Sequence, residues 1–197
     1  MPKALHLGVS TNAVTLSAIN KWKGPAGSYV GSAEILGSYF ATFNDDDDAP
    51  IVFLLSNDCA PDSSATRVKV YVNTLANTLA KVKYAFNLGG RISGSTVQGG
   101  LQAITDFWCH RFGLDRSDPD LETKEVLPAD ARAAFVYEMR PLPEGDKGAN
   151  IEVKLHMQSS WLGETDAQIC KVLSTWFQKC GHAELAARYE RDLISTL

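Results

Sequence analysis

Strand-like and helix-like stretches come in pairs along this chain, and that order excludes most of the architectures open to a mixed sequence. "KALHLGV" (residues 3–9) reads as a short strand. Two helical stretches follow, 11–22 and 28–43, parted by the breaker "KGPAG". An apolar strand at 51–59 and the alternating "ATRVKVYVNT" at 65–74 make the first strand pair. Helices at 77–86 and 96–114 lead to a second pair, "ARAAFVYEMRP" (131–141) and "IEVKLHMQ" (151–158), and helices near 165–180 and 182–195 finish the series. The pattern β, αα, ββ, αα, ββ, αα lacks the βαβ alternation of a parallel doubly wound sheet, and its strands exclude a helix bundle. What remains is an α+β fold: one curved antiparallel sheet of about five strands, with helix pairs packed on a single face. The opposite face must then be solvated, closed on itself or covered by another chain.

Local signals agree with these elements. Gly89 and Gly90 follow the 77–86 helix as a C-cap, since only glycine takes the left-handed conformation without strain. Leu101, Ile104, Trp108 and Phe112 line one side of the long helix, and Leu185, Tyr189, Leu193 and Ile194 one flank of the last. A length of 197 residues fits a single domain over 1–197 with its own core.

Parity within the strands separates two kinds of surface. In "ATRVKVYVNT", Arg67, Lys69 and Tyr71 share one face, and Val68, Val70 and Val72 the other. "EVKLHMQ" repeats the pattern: Glu152, Lys154, His156 and Gln158 point one way, and Val153, Leu155 and Met157 the other. Near the N-terminus, Lys3 and Leu5 share a face. The polar faces either meet bulk water, as on many antiparallel sheets, or line a cavity that holds an anion. If that side of the sheet curls inward, Arg67, Lys69, Lys154 and Lys3 converge. Cations so grouped repel unless an anion neutralises them, and a diphosphate fits that need.

Charge and composition narrow the partners. The formal net charge is −4, so no overall field draws nucleic acid or acidic membrane, and an anion site has to be a local cluster. The N-terminal residues lack the basic start and apolar run of a signal peptide, and no segment reaches transmembrane length, which predicts a cytoplasmic protein. Cys59, Cys109, Cys170 and Cys180 are scattered without a CxxC pair. Neither Cys109-His110 nor Cys180-Gly181-His182 has finger-like spacing, so buried free thiols and no metal are predicted. "NDDDD" (44–48) lies between a helix and a strand and reads as a hydrated loop. "NLGGRISG" follows a helix instead of joining a strand to a helix, so it reads as a turn, with Arg91 placed to reach a cavity mouth. His6, His110 and His182 stand alone and read as structural. Glu138 is expected to pair with Arg140 or a helix residue, and no Ser/His/Asp arrangement marks a catalytic group.

With these stretches in place, the chain resembles the fungal dimethylallyltryptophan synthase type of aromatic prenyltransferase, the ABBA-barrel enzymes. The matching segments are "SNDCAPDSSATRVKVYV", "NLGGRISGSTVQGGLQAITDFWCHRFGL", "AAFVYEMRP", "NIEVKLHMQ" and the terminal "AARYERDL", over residues 50–193. The resemblance implies a barrel of antiparallel strands ringed by helices, with an allylic diphosphate held by Arg and Lys in the lumen. Tyrosines there shield the allyl cation, and an acidic residue accepts a hydrogen bond from the indole. It assigns Arg67, Lys69, Lys154 and Lys3 to the diphosphate, and Tyr71 and His156 to the shield. Leu5 stands at a further shield position; Leu5 and His156 both depart from the family's tyrosines.

The resemblance further implies that the acidic anchor and flanking strands of such a barrel lie outside this sequence, which holds about half of one. Three arrangements then follow: an incomplete chain, a subunit completed by a complementing half-barrel, or a homodimer pairing through strands 3–9 and 151–158. The implied activity is transfer of a prenyl group, for example from dimethylallyl diphosphate, to an indole or other aromatic acceptor in alkaloid-type specialised metabolism, without a cofactor. The alternative is a non-catalytic binding or scaffold subunit on the same fold.

Overall fold

Alternate residues of "VKVYVNTL" are sealed from solvent, and that single fact orients the whole molecule: Val68, Val70 and Val72 are each 0% exposed. The computed structural model describes residues 10–24, 27–43, 48–58, 66–143, 145–146, 148–163 and 165–196. The predicted strand 3–9, with Lys3, Leu5 and His6, lies outside the described residues, as do Cys59 and most of the acidic run at 44–48. In chain order the elements are α1 (Thr11–Lys21), β1 (Lys23–Gly24), β2 (Gly27–Ser28), α2 (Val30–Phe40), β3 (Ile51–Asn57), β4 (Val68–Leu75), α3 (Leu79–Phe86), α4 (Ser95–Phe112), β5 (Arg132–Met139), β6 (Ile151–His156), a 3-10 turn (Ser159–Trp161), α5 (Asp166–Lys179) and α6 (Ala183–Thr196).

β3, β4, β5 and β6 form one antiparallel sheet in that spatial order. Register places Val68, Val70 and Val72 opposite Met139, Tyr137 and Phe135, which in turn face Ile151, Val153 and Leu155. Directly opposed residues share a face, so these rows build one apolar surface. Leu36 and Tyr39 of α2, Leu79, Val82 and Ala85 of α3 and Trp108 of α4 pack with it in the core. Each Leu or Val among them contributes about 1.5–3 kcal/mol on burial. The buried Tyr137 hydroxyl donates to the Ala85 carbonyl at 3.0 Å, so the core leaves this polar group satisfied. The helix-on-one-face arrangement thus matches the parity of the sequence.

Connections differ from the sequence reading in two places. The "KGPAG" breaker contains β1 and the first residue of β2, two-residue strands that pair antiparallel, and Ser28 bridges Leu142. Gly27 makes that bridge possible: its φ is +128°, and a Cβ there would lie 1.8 Å from the Leu142 carbonyl oxygen. After α3, Leu88, Gly89 and Gly90 all take positive φ, and Leu88 is held there by complete burial. Arg91 then donates to the Ser38 hydroxyl, the Ser38 carbonyl and the Leu88 carbonyl. It ties the turn to α2 within the helical layer, instead of reaching a cavity mouth on the sheet's polar face.

The outer edge of β3 is partly closed by α1. Asn12 donates to the Pro50 carbonyl at 2.9 Å and accepts from the Val52 amide at 3.1 Å, covering edge groups that would otherwise invite pairing. Among the described residues no helix is long and apolar enough to cross a membrane.

Candidate anion site on the open face of the sheet

The face turned away from the helices is built in rows. Register aligns Ser56, Lys69, Glu138 and Glu152 in one row, Leu54, Tyr71, Val136 and Lys154 in the next, and Ile51, Asn73, Ala134 and His156 in a third. Rows lie about 7 Å apart along the strands and neighbours within a row about 5 Å apart. Long cationic side chains in adjacent rows can therefore meet.

They do meet, on carboxylates. Arg67, just before β4, donates through Nε to Asp58 Oδ2 at 2.8 Å and through Nη1 to Glu138 Oε1 at 2.7 Å. Lys69 Nζ donates to Asp58 Oδ1 at 2.9 Å, and Lys154 Nζ to Glu138 Oε2 at 2.9 Å. Arg140 Nη2 stands 3.7 Å from Glu138 Oε1, and Lys154 Nζ 3.8 Å from Glu152 Oε1. The structure thus brings Arg67, Lys69 and Lys154 together, as strand parity requires. It also corrects the charge argument: Arg67, Lys69, Lys154 and Arg140 face three carboxylates of the chain itself, which offset all but one of the four positive charges without an outside anion. Glu138 pairs with Arg140 as expected, yet its close partners are Arg67 and Lys154, and none lies on a helix.

These contacts shift the titration of Asp58, Glu138, Arg67 and Lys154. The hydrogen bond from Lys69, followed by that from Arg67, holds the Asp58 carboxyl below its ordinary value. Burial pushes the Glu138 carboxyl up, but hydrogen bonds from Lys154 and Arg67 outweigh it and leave Glu138 low as well. Arg67 and Lys154 are both raised, each chiefly by its hydrogen bond to Glu138. A carboxyl depressed on folding stabilises the fold fully above its unfolded value and loses that contribution as pH falls through the folded one. Stability should therefore hold from pH 7 down to about 4 and drop below it. Denaturant midpoints measured at pH 7, 4 and 3 check this, and Asp58→Asn should make the acid loss shallower. Lys154 has the opposite sign: its contribution is present below about pH 10.5 and lost as pH rises beyond that.

The other half of the face is apolar. A bulge between Val52 and Leu54 sets two residues of β3 against Tyr71, and the Phe53 ring meets the Tyr71 ring edge-on at 6.0 Å. Ile51, Phe53 and Leu54 are 49, 41 and 45% exposed there. His156 is exposed on the same face, one row beyond Tyr71 and Lys154. Lys3 has no described position.

The sequence reading missed Asp58, Phe53 and the central place of Glu138. Asp58 stands next to the Asn57–Val68 pair that ends the β3–β4 ladder, so the hairpin register itself would have put it beside Arg67. Phe53 was masked because a bulge breaks the period of two. Elsewhere, Cys170 is buried, but Cys109 is half-buried and Cys180 exposed, contrary to the prediction of buried thiols. His110 bonds the Val172 carbonyl and Thr175 hydroxyl between α4 and α5, a structural role. Asp48 is exposed, 3.9 Å from Lys81. Among the described residues no three His, Cys, Asp or Glu side chains cluster to hold a metal.

Comparison with known proteins finds the same fold. Residues 1–192 match the family model described as tryptophan dimethylallyltransferase. The chain is 43% identical over 194 residues to prenyltransferase iacE of Pestalotiopsis fici, across 97% of this chain and 43% of that protein. It is 27% identical over 195 residues to the 7-dimethylallyltryptophan synthase of Aspergillus fumigatus, across 96% of this chain and 35% of that one. The chain therefore spans less than half the length of these curated relatives. Among solved structures, AnaPT from Neosartorya fischeri superposes with a TM-score of 0.73 at 21% identity, over 98% of this chain and 42% of that one. NotF, solved in complex with brevianamide F and DMSPP, gives 0.63 at 19% identity, over 97% and 43%.

Proposed function

The chain belongs to the tryptophan dimethylallyltransferase family, and on that premise we propose that the open face of its sheet holds an allylic diphosphate for prenyl transfer to an indole or other aromatic acceptor. The observation that carries the proposal is the convergence of Arg67, Lys69 and Lys154, from two different strands, on one face beside Tyr71. Their bonds to Asp58 and Glu138 use only part of their donors: Arg67 Nη2 and further N–H groups on both lysines remain to face an anion.

In the reaction the allylic C–O bond breaks, its electron pair goes to the diphosphate oxygen, and the cationic carbon is attacked by the acceptor ring, which then loses a proton. Charge builds on the leaving diphosphate as the bond breaks. Fixed guanidinium and ammonium groups lower that barrier without a metal. The Tyr71 ring stabilises the allyl cation by cation–π attraction, and Phe53, edge-on against it, helps exclude water. A neutral His156 imidazole is compatible with the cation, whereas a protonated one repels it. Lys3 completes the proposed set. The sheet supplies one wall of a barrel, and the remaining walls come from strands outside it, in the same chain, a second copy or a complementing half-barrel partner. Residence in the cytoplasm completes this reading.

One observation favours a second reading, a binding or scaffold subunit without catalysis: Asp58, Glu138 and Glu152 already pair with the cations. Calorimetric titration with dimethylallyl diphosphate separates the two. Binding should weaken about tenfold in Lys69→Ala, the worth of one charge-assisted hydrogen bond. An unchanged affinity in that variant would remove the site. Tight binding without a prenylated product from any indole acceptor would select the scaffold.

A further inference from the structure

Glu138 is the one charged side chain among the buried described residues, and its burial is on the face that water reaches. Its row neighbours Lys69 and Glu152 are 21 and 51% exposed, while Glu138 is 1% exposed, with Arg67 and Lys154 each capping one of its oxygens. Each cation also has a second carboxylate, although Arg67 shares its own with Lys69. Arg67 already has Asp58 at 2.8 Å, and Lys154 has Glu152 beside it on β6 at 3.8 Å. What Glu138 adds is direction. It draws Lys154 from the β6 edge inward over β5 and holds Arg67 Nη1 above the same strand. The constraint is mutual, because a buried carboxylate is tolerated only with its cations in place.

We propose that Glu138 is the positioning residue of the anion site, keeping Arg67 and Lys154 aimed over the C-terminal end of β5 whether or not a diphosphate is bound. The assignment rests on the diphosphate reading above. It has an opposing possibility with a distinct sign. Glu138 carries charge of the same sign as a diphosphate, so if its charge alone mattered, removing it would tighten anion binding. If it positions the cations, removing it frees Lys154 to swing to Glu152 and weakens binding.

The test uses the full chain with Glu138→Gln, Glu138→Asp and Glu152→Gln, titrated with inorganic pyrophosphate by calorimetry. A second readout follows the Lys154 side chain through its amine titration by NMR, without any ligand. Glu138→Gln should raise the pyrophosphate dissociation constant about tenfold. It should also bring the Lys154 amine down toward an ordinary lysine. Glu138→Asp, which keeps the charge, should recover most of both. Unchanged or tighter pyrophosphate binding in a folded Glu138→Gln protein would overturn the proposal. If Glu138→Gln does not fold, Glu152→Gln decides: a Lys154 amine that stays raised supports Glu138 as its partner, and one that falls to the ordinary value refutes it. Wild-type protein that binds no pyrophosphate would sink the diphosphate reading, and the Lys154 titration would still decide whether Glu138 positions it.

Discussion

Val70→Asp is expected to leave no cooperative unfolding transition, while Lys69→Met, one residue earlier, should leave the melting curve nearly in place. The two side chains sit on opposite faces of β4. Val70 is fully buried between Leu55 and Tyr137, and Glu138, the only charged side chain among the buried described residues, lies on the other face. A carboxylate at position 70 therefore has no cation to meet. It must be buried unpaired or protonated, and either costs about 5 kcal/mol or more. That equals the whole stability of many single domains. Lys69 is 21% exposed at the opposite face, and a methionine there keeps the hydrocarbon part of its packing. Circular dichroism melts of the two variants check the contrast. A folded Val70→Asp protein would mean that the helices do not cover this face.

Arg67→Met should give the largest functional loss. Its guanidinium spans Asp58 and Glu138, and so links the β3–β4 hairpin to β5. Among the described residues Lys69 reaches only Asp58, and Lys154 chiefly Glu138. Losing Arg67 removes a diphosphate donor and unlinks the two carboxylates that hold the other cations. Dimethylallyl diphosphate affinity should fall roughly a hundredfold, the sum of two charge-assisted hydrogen bonds. Lysine at this position should restore little, because an ammonium cannot offer the two forked donors. Calorimetry on Arg67→Met and Arg67→Lys measures both; equal affinities for wild type and Arg67→Met would place the anion elsewhere.

Much of the frame was legible in the residues. Alternation in "VKVYVNTL" and "IEVKLH" foretold which side faces the helices, and β3 to β6 and the α-helices fall within two or three residues of their predicted bounds, whereas β1 and β2 had no counterpart in the prediction. The site was legible only as a set of like charges. Parity put Arg67, Lys69 and Lys154 on one face, but read alone it implied that something external must neutralise them. Asp58 and Glu138 offset two of the three charges from within the chain, and the bulge that turns Phe53 toward Tyr71 has no signature in a period of two.

Local sterics set the alternation of a strand, so ten residues suffice to say which side chains share a face, and the sequence by itself determined the strand and helix order and the two surfaces. Which carboxylate meets which cation depends on register between strands far apart in the chain: Arg67 and Glu138 are 71 residues apart and touch only because β4 and β5 pair as they do. Hydrogen bonding between distant backbones fixes that register, and no short stretch contains it. The tertiary structure alone decided that the cations come already partnered.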